Sequence, residues 1–249
     1  MVKLFKNNLA FILFLALFGL VGGYFTGLYT VESLSSEMLE EMIAEIGSVE
    51  VLVLITVIQS LLYAVSLGLI GRILAEKIGL WREISFEIKP VLSVLLVSFI
   101  GGLIFILGDY YVFGNFIDVV KDSYLAKPTI NYFIASLTYG GVVEEVMLRL
   151  FLMTLLAFLL HKISRKSEIS NSCIILANVI AAILFAAGHL PATVMMMELT
   201  PVAFIRCFFM NGGFGLAFGR LYRKYGIQYA MLAHAGLHIV SKLVWILFI

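Results

Sequence analysis

Long apolar runs separated by short polar segments dominate the chain. A membrane-spanning helix needs about 20 mostly apolar residues, so each run is long enough to cross a bilayer. The runs lie near residues 9–29, 51–73, 90–108, 131–160, 170–190, 201–220 and 228–249. This pattern predicts an all-α polytopic transmembrane helical bundle of about seven spans, within a range of six to eight.

Two of the connecting segments are long enough to hold structure of their own. Residues 31–50, "VESLSSEMLEEMIAEIGSVE", are acidic and predict an amphipathic helix, whereas residues 109–128, "DYYVFGNFIDVVKDSYLAKP", are mixed in character. No low-complexity run, long linker or clear internal repeat interrupts the sequence. We therefore expect residues 1–249 to form a single membrane domain.

The first 25 residues, "MVKLFKNNLAFILFLALFGLVGGYF", begin like a signal peptide, with basic residues before an apolar run. The run is long and lacks a small-residue cleavage site, so we interpret it as an uncleaved first helix.

Composition supports the membrane assignment. The chain is 62% hydrophobic and 13% charged, whereas soluble domains are roughly 45–50% apolar and about 25% charged. A net charge of +1 gives no electrostatic reason to expect a nucleic-acid partner. Cys173 and Cys207 lie at or in apolar segments and are interpreted as small core residues rather than a disulfide or a thiolate metal site.

Basic residues alternate between the two ends of successive spans. Because lysine and arginine mark the cytoplasmic side, this alternation predicts a cytoplasmic N-terminus and an outside C-terminus. The expected location is the plasma membrane, or the endoplasmic reticulum if the organism is eukaryotic. The cytoplasmic set is Lys3, Lys6, Arg72, Lys77, Arg82, Lys89, Lys162, Arg165, Lys166, Arg220, Arg223 and Lys224, with Lys121 and Lys127 as exceptions.

Ionisable residues inside the spans are costly, and they usually face the bundle interior or a water-filled cavity. Lys242 is interpreted as a snorkelling or structural residue, and Arg206 as a partner for a loop or for one of the two carboxylates, Glu144 or Glu145. The full set is Glu144, Glu145, Arg149, His189, Arg206, His234, His238 and Lys242.

Helical spacing separates the two neighbouring glutamates. Glu145 and Arg149 are four residues apart on one face and can form an ion pair. Glu144 is displaced by about 100° on the helix and must point elsewhere. Desolvation of a lone carboxylate suits it to act as a general base. A purely structural polar cluster and a transport path are alternatives at this point.

Histidines on two further spans extend this set. His189 follows Phe185 by one helical turn, so the Phe185 ring can pack on the imidazole. His234 and His238 share one face at a spacing that can also hold a metal. Three histidines and a carboxylate on three spans can activate water, stabilise an oxyanion or bind Zn²⁺. All three uses point to hydrolysis.

The motifs "EEVMLR", "FAAGH" and "HAGLH" occur in this order, each on a predicted span. Together they resemble the CAAX prenyl endopeptidase and bacteriocin-processing (CPBP, Abi) family of intramembrane proteases. The resemblance covers roughly residues 130–245, and the N-terminal half is similar only in being hydrophobic.

The resemblance implies a membrane-embedded protease. Glu144 would be the general base that activates water, with assistance from His189. His234 and His238 would stabilise the tetrahedral oxyanion. Glu145 and Arg149 would support helix packing and set the charge of Glu144.

Two positions depart from the family pattern. Leu150 stands where the family often has glycine, and His238 stands where it usually has asparagine. These residues require no cofactor, but a histidine at position 238 could also help to bind a divalent metal such as Zn²⁺. The candidate metal set is Glu144, His189, His234 and His238.

The expected function is therefore an intramembrane endopeptidase acting at the bilayer on a peptide or prenylated protein. Prenylated CAAX-type C-terminal tails and leader or bacteriocin-like peptides are the expected substrates. A non-catalytic peptide-binding or immunity protein of the same fold, or a transporter, is the alternative.

Two structural expectations remain open in the sequence. Counting along straight helices places Glu144, His189 and His234 at different depths, so they should not converge. Gly215 and Gly219 form a G-x-x-x-G pair, which we interpret as internal packing rather than a dimer contact.

Overall fold

The computed structural model describes the backbone of residues 2–83 and 87–249, with side chains from residue 9 onward in these ranges. The side chains of Lys3 and Lys6, used for the orientation prediction, lie outside the described residues. Every regular element in the described ranges is helical, which confirms the all-α class.

The described residues form nine helical segments, named α1 to α9 in chain order. They are α1 (Val2–Ser33), α2 (Ser36–Ile46), α3 (Val49–Lys77), α4 (Ile88–Asn115), α5 (Asp118–Ser123), α6 (130–164), α7 (Asn171–Met196), α8 (Pro201–Tyr225) and α9 (Ile227–Phe248). Within the described residues, six of them are long and apolar enough to cross a membrane: α1, α3, α4, α7, α8 and α9. The charged helix α6 is the seventh long segment, in agreement with the expectation of about seven spans.

Helix α2 is the amphipathic helix predicted between the first two spans. The Ser35 hydroxyl accepts a hydrogen bond from the Met38 backbone N–H at its start. Gly47, at φ 104°, ends it in a conformation that glycine adopts without strain. None of its residues is buried, so the helix lies on the surface of the bundle.

Much of α6 is wound more widely than an α-helix. The stretches Ser136–Glu144 and Val146–Met153 are π-helical, with hydrogen bonds that reach five residues back along the chain. The Thr154 hydroxyl likewise donates to the Arg149 carbonyl, 3.1 Å away. The period of 3.6 residues therefore does not hold in the part of α6 that carries the charges.

The first helix packs closely into the bundle through glycines. An added Cβ on any of three glycines would lie within 3.0 Å of an α-carbon of α3: Gly19 beside Leu61, Gly23 beside Val57 and Gly27 beside Val53. On another face of α1, a Cβ on Gly22 would lie 3.0 Å from the Tyr139 backbone nitrogen in α6. Helix α1 is thus held between α3 and α6.

Helix α6 is enclosed by its neighbours. It contacts α1, α3, α7, α8 and α9, and its apolar residues Val143, Val146, Leu150 and Met153 are fully buried. Large apolar side chains on the outer helices are exposed, as lipid contact requires. The charged segment therefore lies at the centre of the bundle, away from lipid.

The G-x-x-x-G pair of α8 packs internally, as predicted. A Cβ on Gly215 would lie 3.0 Å from Arg149 Nη2. A Cβ on Gly219 would overlap the side chain of Asn178, whose amide donates to the Leu216 carbonyl at 3.0 Å. The two glycines therefore let α8 approach α6 and α7 closely.

Candidate active site

The ion pair predicted in α6 is present. Arg149 Nη1 lies 3.2 Å from Glu145 Oε1, and both side chains are almost completely buried. The contact is not aligned as a hydrogen bond, and neither terminal nitrogen of Arg149 has a hydrogen-bond partner among the described residues. The guanidinium instead lies over the rings of Phe185 and Phe218, at 4.7 and 5.6 Å from their centroids.

His234 of α9 reaches the same carboxylate. Its Nδ1 lies 2.9 Å from Glu145 Oε1. A carboxylate accepts, so Nδ1–H is the donor and Nε2 points away from the pair. The ring stacks on Phe218 at 4.5 Å and on His238 at 5.0 Å. The resemblance assigns His234, with His238, to the oxyanion, and its hydrogen-bond partner in the structure is Glu145.

The Nε2 atoms of His234 and His238 face one point on the backbone of α6. A Cβ on Gly140 would lie 3.4 Å from His238 Nε2 and 3.9 Å from His234 Nε2. Glycine at this position therefore keeps a space open beside both ring nitrogens. The neighbouring Gly141 has a different role, because a Cβ there would lie 2.8 Å from the Ala235 Cβ.

Glu144 differs from its neighbour in its surroundings. It is partly exposed, and it makes no hydrogen bond or ion pair with any residue that the structure describes. Its charge acts on Tyr139 and on Arg149. The two carboxylates thus differ as helical spacing predicts. Glu145 forms an ion pair and a hydrogen bond, whereas Glu144 forms neither with the described residues.

His189 lies where α7 turns, two residues before Pro191. Its Nδ1 is 2.9 Å from the Phe185 carbonyl oxygen, and the Phe185 ring meets the imidazole edge-on at 4.7 Å. The same Phe185 ring lies 6.4 Å from the ring of His234. Phe185 therefore connects His189 to the Arg149 side of the site, and the predicted packing of this pair is confirmed.

The depth mismatch predicted from straight helices is wrong for His234 and its partners on α6. The hydroxyls of Thr154 and Tyr222 lie 2.8 Å apart, which sets the turn between α8 and α9 well inside the end of α6 at Ser164. His234, early in α9, therefore lies level with Glu145. Wide winding of α6 contributes, because a count at the α-helical rise misplaces its residues along the axis.

The candidate metal set does not fit a metal in this arrangement. Within the described residues, no group of three or more His, Cys, Asp or Glu side chains is placed to hold an ion. The Nδ1 atoms of His189 and His234 are bonded to a carbonyl and to Glu145, so only Nε2 of each ring is available as a ligand. Cys173 and Cys207 are free thiols. We therefore derive no step through a metal.

The sequence did not single out Asp109, which lies just past the predicted end of its span. Arg206 Nε and Nη2 donate to Asp109 Oδ1 and Oδ2 at 2.6 and 2.8 Å. The Tyr124 hydroxyl donates to Oδ2 at 2.8 Å, and burial together with the Asp109 carboxylate raises the pKa of that hydroxyl. Arg206 thus pairs with Asp109, the first residue of the predicted connecting segment 109–128, and the alternative pairing with Glu144 or Glu145 is wrong. The available signal was not local: an acidic residue stands at the end of one span, and a basic residue stands within a later span.

Lys242 was predicted to snorkel or to be structural, and the snorkelling prediction is wrong. Its side chain is only 2% exposed. Nζ lies 4.0 Å from the centroid of the Tyr132 ring and 3.5 Å from His238 Nδ1. Its spacing of four residues from His238 was the signal for this contact.

The fold and the site together define a class: an integral membrane protein with glutamates and histidines enclosed at the centre of a helical bundle. Residues 126–240 match the family described as type II CAAX prenyl endopeptidase Rce1-like. This match confirms the family resemblance and supports a CAAX-type intramembrane protease in general terms. Neither the curated proteins nor the solved structures that were compared with the chain include a match.

The matched segment begins before α6 and ends within α9. It contains every candidate site residue from Glu144 to His238, and it stops short of Lys242. Helices α1 to α4, including Asp109, lie outside it.

Proposed function

We propose that the protein is an intramembrane endopeptidase in which Glu144 is the general base that activates water. One observation carries this proposal: of two adjacent glutamates, Glu145 is bound by Arg149 and His234, whereas Glu144 has no hydrogen-bond or ion-pair partner among the described residues. A general base must be free to take a proton from water. Glu144 meets that condition with both carboxylate oxygens and is partly exposed, whereas Glu145 is buried and its Oε1 is bound by Arg149 and His234.

The proposed reaction balances without a metal. Glu144 takes a proton from water, and the resulting hydroxide attacks the carbonyl carbon of the scissile peptide bond. The oxygen of that carbonyl gains negative charge, which an N–H group of the His234 and His238 pair stabilises. Glu144 then passes its proton to the leaving amine, and the C–N bond breaks.

His189 is proposed to assist Glu144. Its Nδ1 is directed at the Phe185 carbonyl, which only accepts, so the proton lies on Nδ1. Nε2 then carries a lone pair that can accept a hydrogen bond from the attacking water. This supports a role in orienting water rather than in donating to the oxyanion.

The proposed substrate is a peptide whose end reaches the bilayer. A site at the centre of a membrane bundle suits prenylated CAAX-type C-terminal tails, or leader and bacteriocin-like peptides. Charge distribution predicts that one end of the bundle faces the cytoplasm, where prenylated tails occur. The partners are then the lipid bilayer and a peptide or prenylated protein.

The test is cleavage of a prenylated CAAX-type peptide by the purified protein in lipid nanodiscs. Glu144→Gln and His189→Ala are compared with wild type and with Glu198→Gln, an exposed glutamate outside the site. We expect Glu144→Gln to lower kcat by about 10²–10⁴-fold, the usual contribution of a general base. Glu198→Gln should match wild type, and thermal unfolding should be unchanged in both glutamate variants.

Unchanged turnover in Glu144→Gln would remove the catalytic assignment. A parallel reaction with a chelator tests the mechanism, since loss of activity that Zn²⁺ restores would contradict metal-free catalysis. Peptide binding without cleavage by wild type would favour the non-catalytic alternative, and ion flux across sealed vesicles would favour the transporter.

A further inference from the structure

The three histidines of the site differ in the partner of their Nδ1 atom. The contacts are His189 with the Phe185 carbonyl at 2.9 Å, His234 with Glu145 Oε1 at 2.9 Å and His238 with Lys242 Nζ at 3.5 Å. The first two partners are oxygen atoms that accept hydrogen bonds. The third is an amine, which as an ammonium group can only donate.

This difference sets where each ring carries its proton. A neutral imidazole has one N–H, and the bond made by one nitrogen decides the role of the other. His189 and His234 donate from Nδ1, so Nε2 of each neutral ring carries a lone pair. His238 accepts at Nδ1, so its Nε2 carries the hydrogen.

The position of Lys242 supports the charged, donating form. Its Nζ lies 4.0 Å from the centroid of the Tyr132 ring, the placement of a cation over an aromatic face. The contact with His238 Nδ1 is long for a hydrogen bond at 3.5 Å. No carboxylate among the described residues forms an ion pair with Lys242, so the imidazole is its polar neighbour inside the bundle.

We propose that Lys242 is a positioning residue that holds His238 in the Nε2–H tautomer, and so supplies the site with its oxyanion donor. This inference rests on the proposed protease function. His238 Nε2 faces the space beside Gly140 together with His234 Nε2. In their neutral forms His238 offers a hydrogen there and His234 a lone pair, so only His238 can donate.

Under this proposal, residue 238 donates a hydrogen bond whether it is histidine or asparagine, but only histidine depends on Lys242 to do so. An asparagine amide has N–H donors in every state and needs no neighbour to fix a tautomer. A histidine at this position donates reliably only if its Nδ1 is held as an acceptor. Lys242 should therefore matter when residue 238 is histidine and matter little when it is asparagine.

The experiment is a double-mutant cycle in lipid nanodiscs with a prenylated CAAX-type peptide. The variants are Lys242→Met, His238→Asn and the pair combined, and Lys121→Met is the matched control. Lys121 likewise places Nζ 3.5 Å from a tyrosine ring centroid, that of Tyr110, but contacts no histidine. Methionine keeps the length and packing of the lysine side chain and cannot donate.

We expect Lys242→Met to lower kcat by about tenfold with His238 present, less than the ~10²–10³-fold loss of a whole oxyanion donor. In the His238→Asn background the same change should cost less than about twofold, by the same reasoning. Lys121→Met should be neutral in both backgrounds. Equal losses in both backgrounds would overturn the proposal and assign Lys242 a packing role.

A second measurement is independent of activity. In ¹⁵N-histidine-labelled wild type, the signals that disappear in His238→Asn should show an unprotonated Nδ1 and a protonated Nε2. The Lys242→Met change should convert part of this signal to the other tautomer. A protonated Nδ1 in the wild-type protein would overturn the proposal even if Lys242→Met fails to fold.

These two readouts also separate the proposal from the function on which it rests. If wild type cleaves no peptide, the proposed function fails, and the ¹⁵N signals alone then decide whether Lys242 fixes the tautomer. If wild type cleaves and the tautomer is reversed, the protease assignment stands and the role of Lys242 is wrong.

Discussion

Two arginine–carboxylate pairs lie inside the bundle, and they differ in how completely their atoms are used. Arg206 makes two aligned bonds to both oxygens of Asp109, and Tyr124 adds a third. Arg149 meets one oxygen of Glu145 without alignment. Glu145 Oε2 and both terminal nitrogens of Arg149 have no hydrogen-bond partner among the described residues.

We interpret the difference as one between a structural pair and a pair that belongs to the proposed site. Buried polar groups in native structures are nearly always satisfied, so exceptions require an explanation. The Asp109 pair is satisfied by the protein and joins α4 to α8. The Glu145 pair leaves polar atoms open beside Glu144, where substrate and water are proposed to react. Incomplete bonding at that point is therefore consistent with a site built for chemistry.

The largest expected effect on stability comes from Arg206→Met. It leaves Asp109 buried with only a neutral tyrosine as partner, so we expect a loss of about 3 kcal/mol, the lower end for a broken buried pair because Arg206 is partly exposed. Chemical unfolding in detergent measures this, with Arg220→Met as the exposed control on the same helix. Cleavage per folded molecule should be unchanged.

Adding Asp109→Leu to Arg206→Met should recover most of that loss, because no unpaired charge then remains. A double variant as unstable as the single one would show that the pair contributes through shape rather than charge.

Arg149→Met should destabilise the fold less, by about 1–2 kcal/mol. Glu145 keeps the hydrogen bond from His234, and methionine can fill the space between two aromatic rings. Peptide cleavage should fall by more than the loss of folded protein explains, since Arg149 also acts electrostatically on Glu144. The same unfolding assay is paired with peptide cleavage. A stability loss equal to that of Arg206→Met would mean that the two pairs are equivalent.

The smallest expected change in stability is at Gly140. Alanine there should leave unfolding within about 0.5 kcal/mol of wild type, because its Cβ makes ordinary contacts and alanine favours helix. Cleavage should nevertheless fall, since the methyl group occupies the space beside His238 Nε2. Gly141→Ala is the matched control.

At Gly141 the added Cβ would lie 2.8 Å from that of Ala235, and such overpacking costs roughly 1–3 kcal/mol. Stability should therefore fall for Gly141→Ala and activity for Gly140→Ala. The opposite result would show that Gly140 is a packing residue.

Hydropathy alone located the long helices well, because each must match the thickness of a bilayer. The predicted span 90–108 was too short, since α4 continues to Asn115 through a π-helical turn at Gly108–Val112. That turn contains Asp109. A span predicted from hydropathy ends before a charged residue, because hydropathy does not take account of a partner on a distant helix. Tertiary pairing of this kind leaves no local signal in the sequence.

Contacts within one helix could also be predicted. The spacing of Glu145 and Arg149 and that of Phe185 and His189 both gave contacts that the structure contains. The partner of His234 could not be predicted in this way, because it depends on how α9 slides against α6 and on wide winding that the sequence pattern does not reveal. The roles of these residues in catalysis remain predictions for the experiments above.

The close packing of α1 between α3 and α6 has a consequence for biogenesis. Inserting a helix with an arginine at mid-span costs about 2.5–3.5 kcal/mol on translocon scales. The helices that receive α6 on one side, α1 and α3, precede it in the order of synthesis. Those that cover its charges on the other side, α7 to α9, follow it. The side chains of Phe185, Phe218 and His234, which contact the Glu145–Arg149 pair, therefore become available only after α6 has been synthesised.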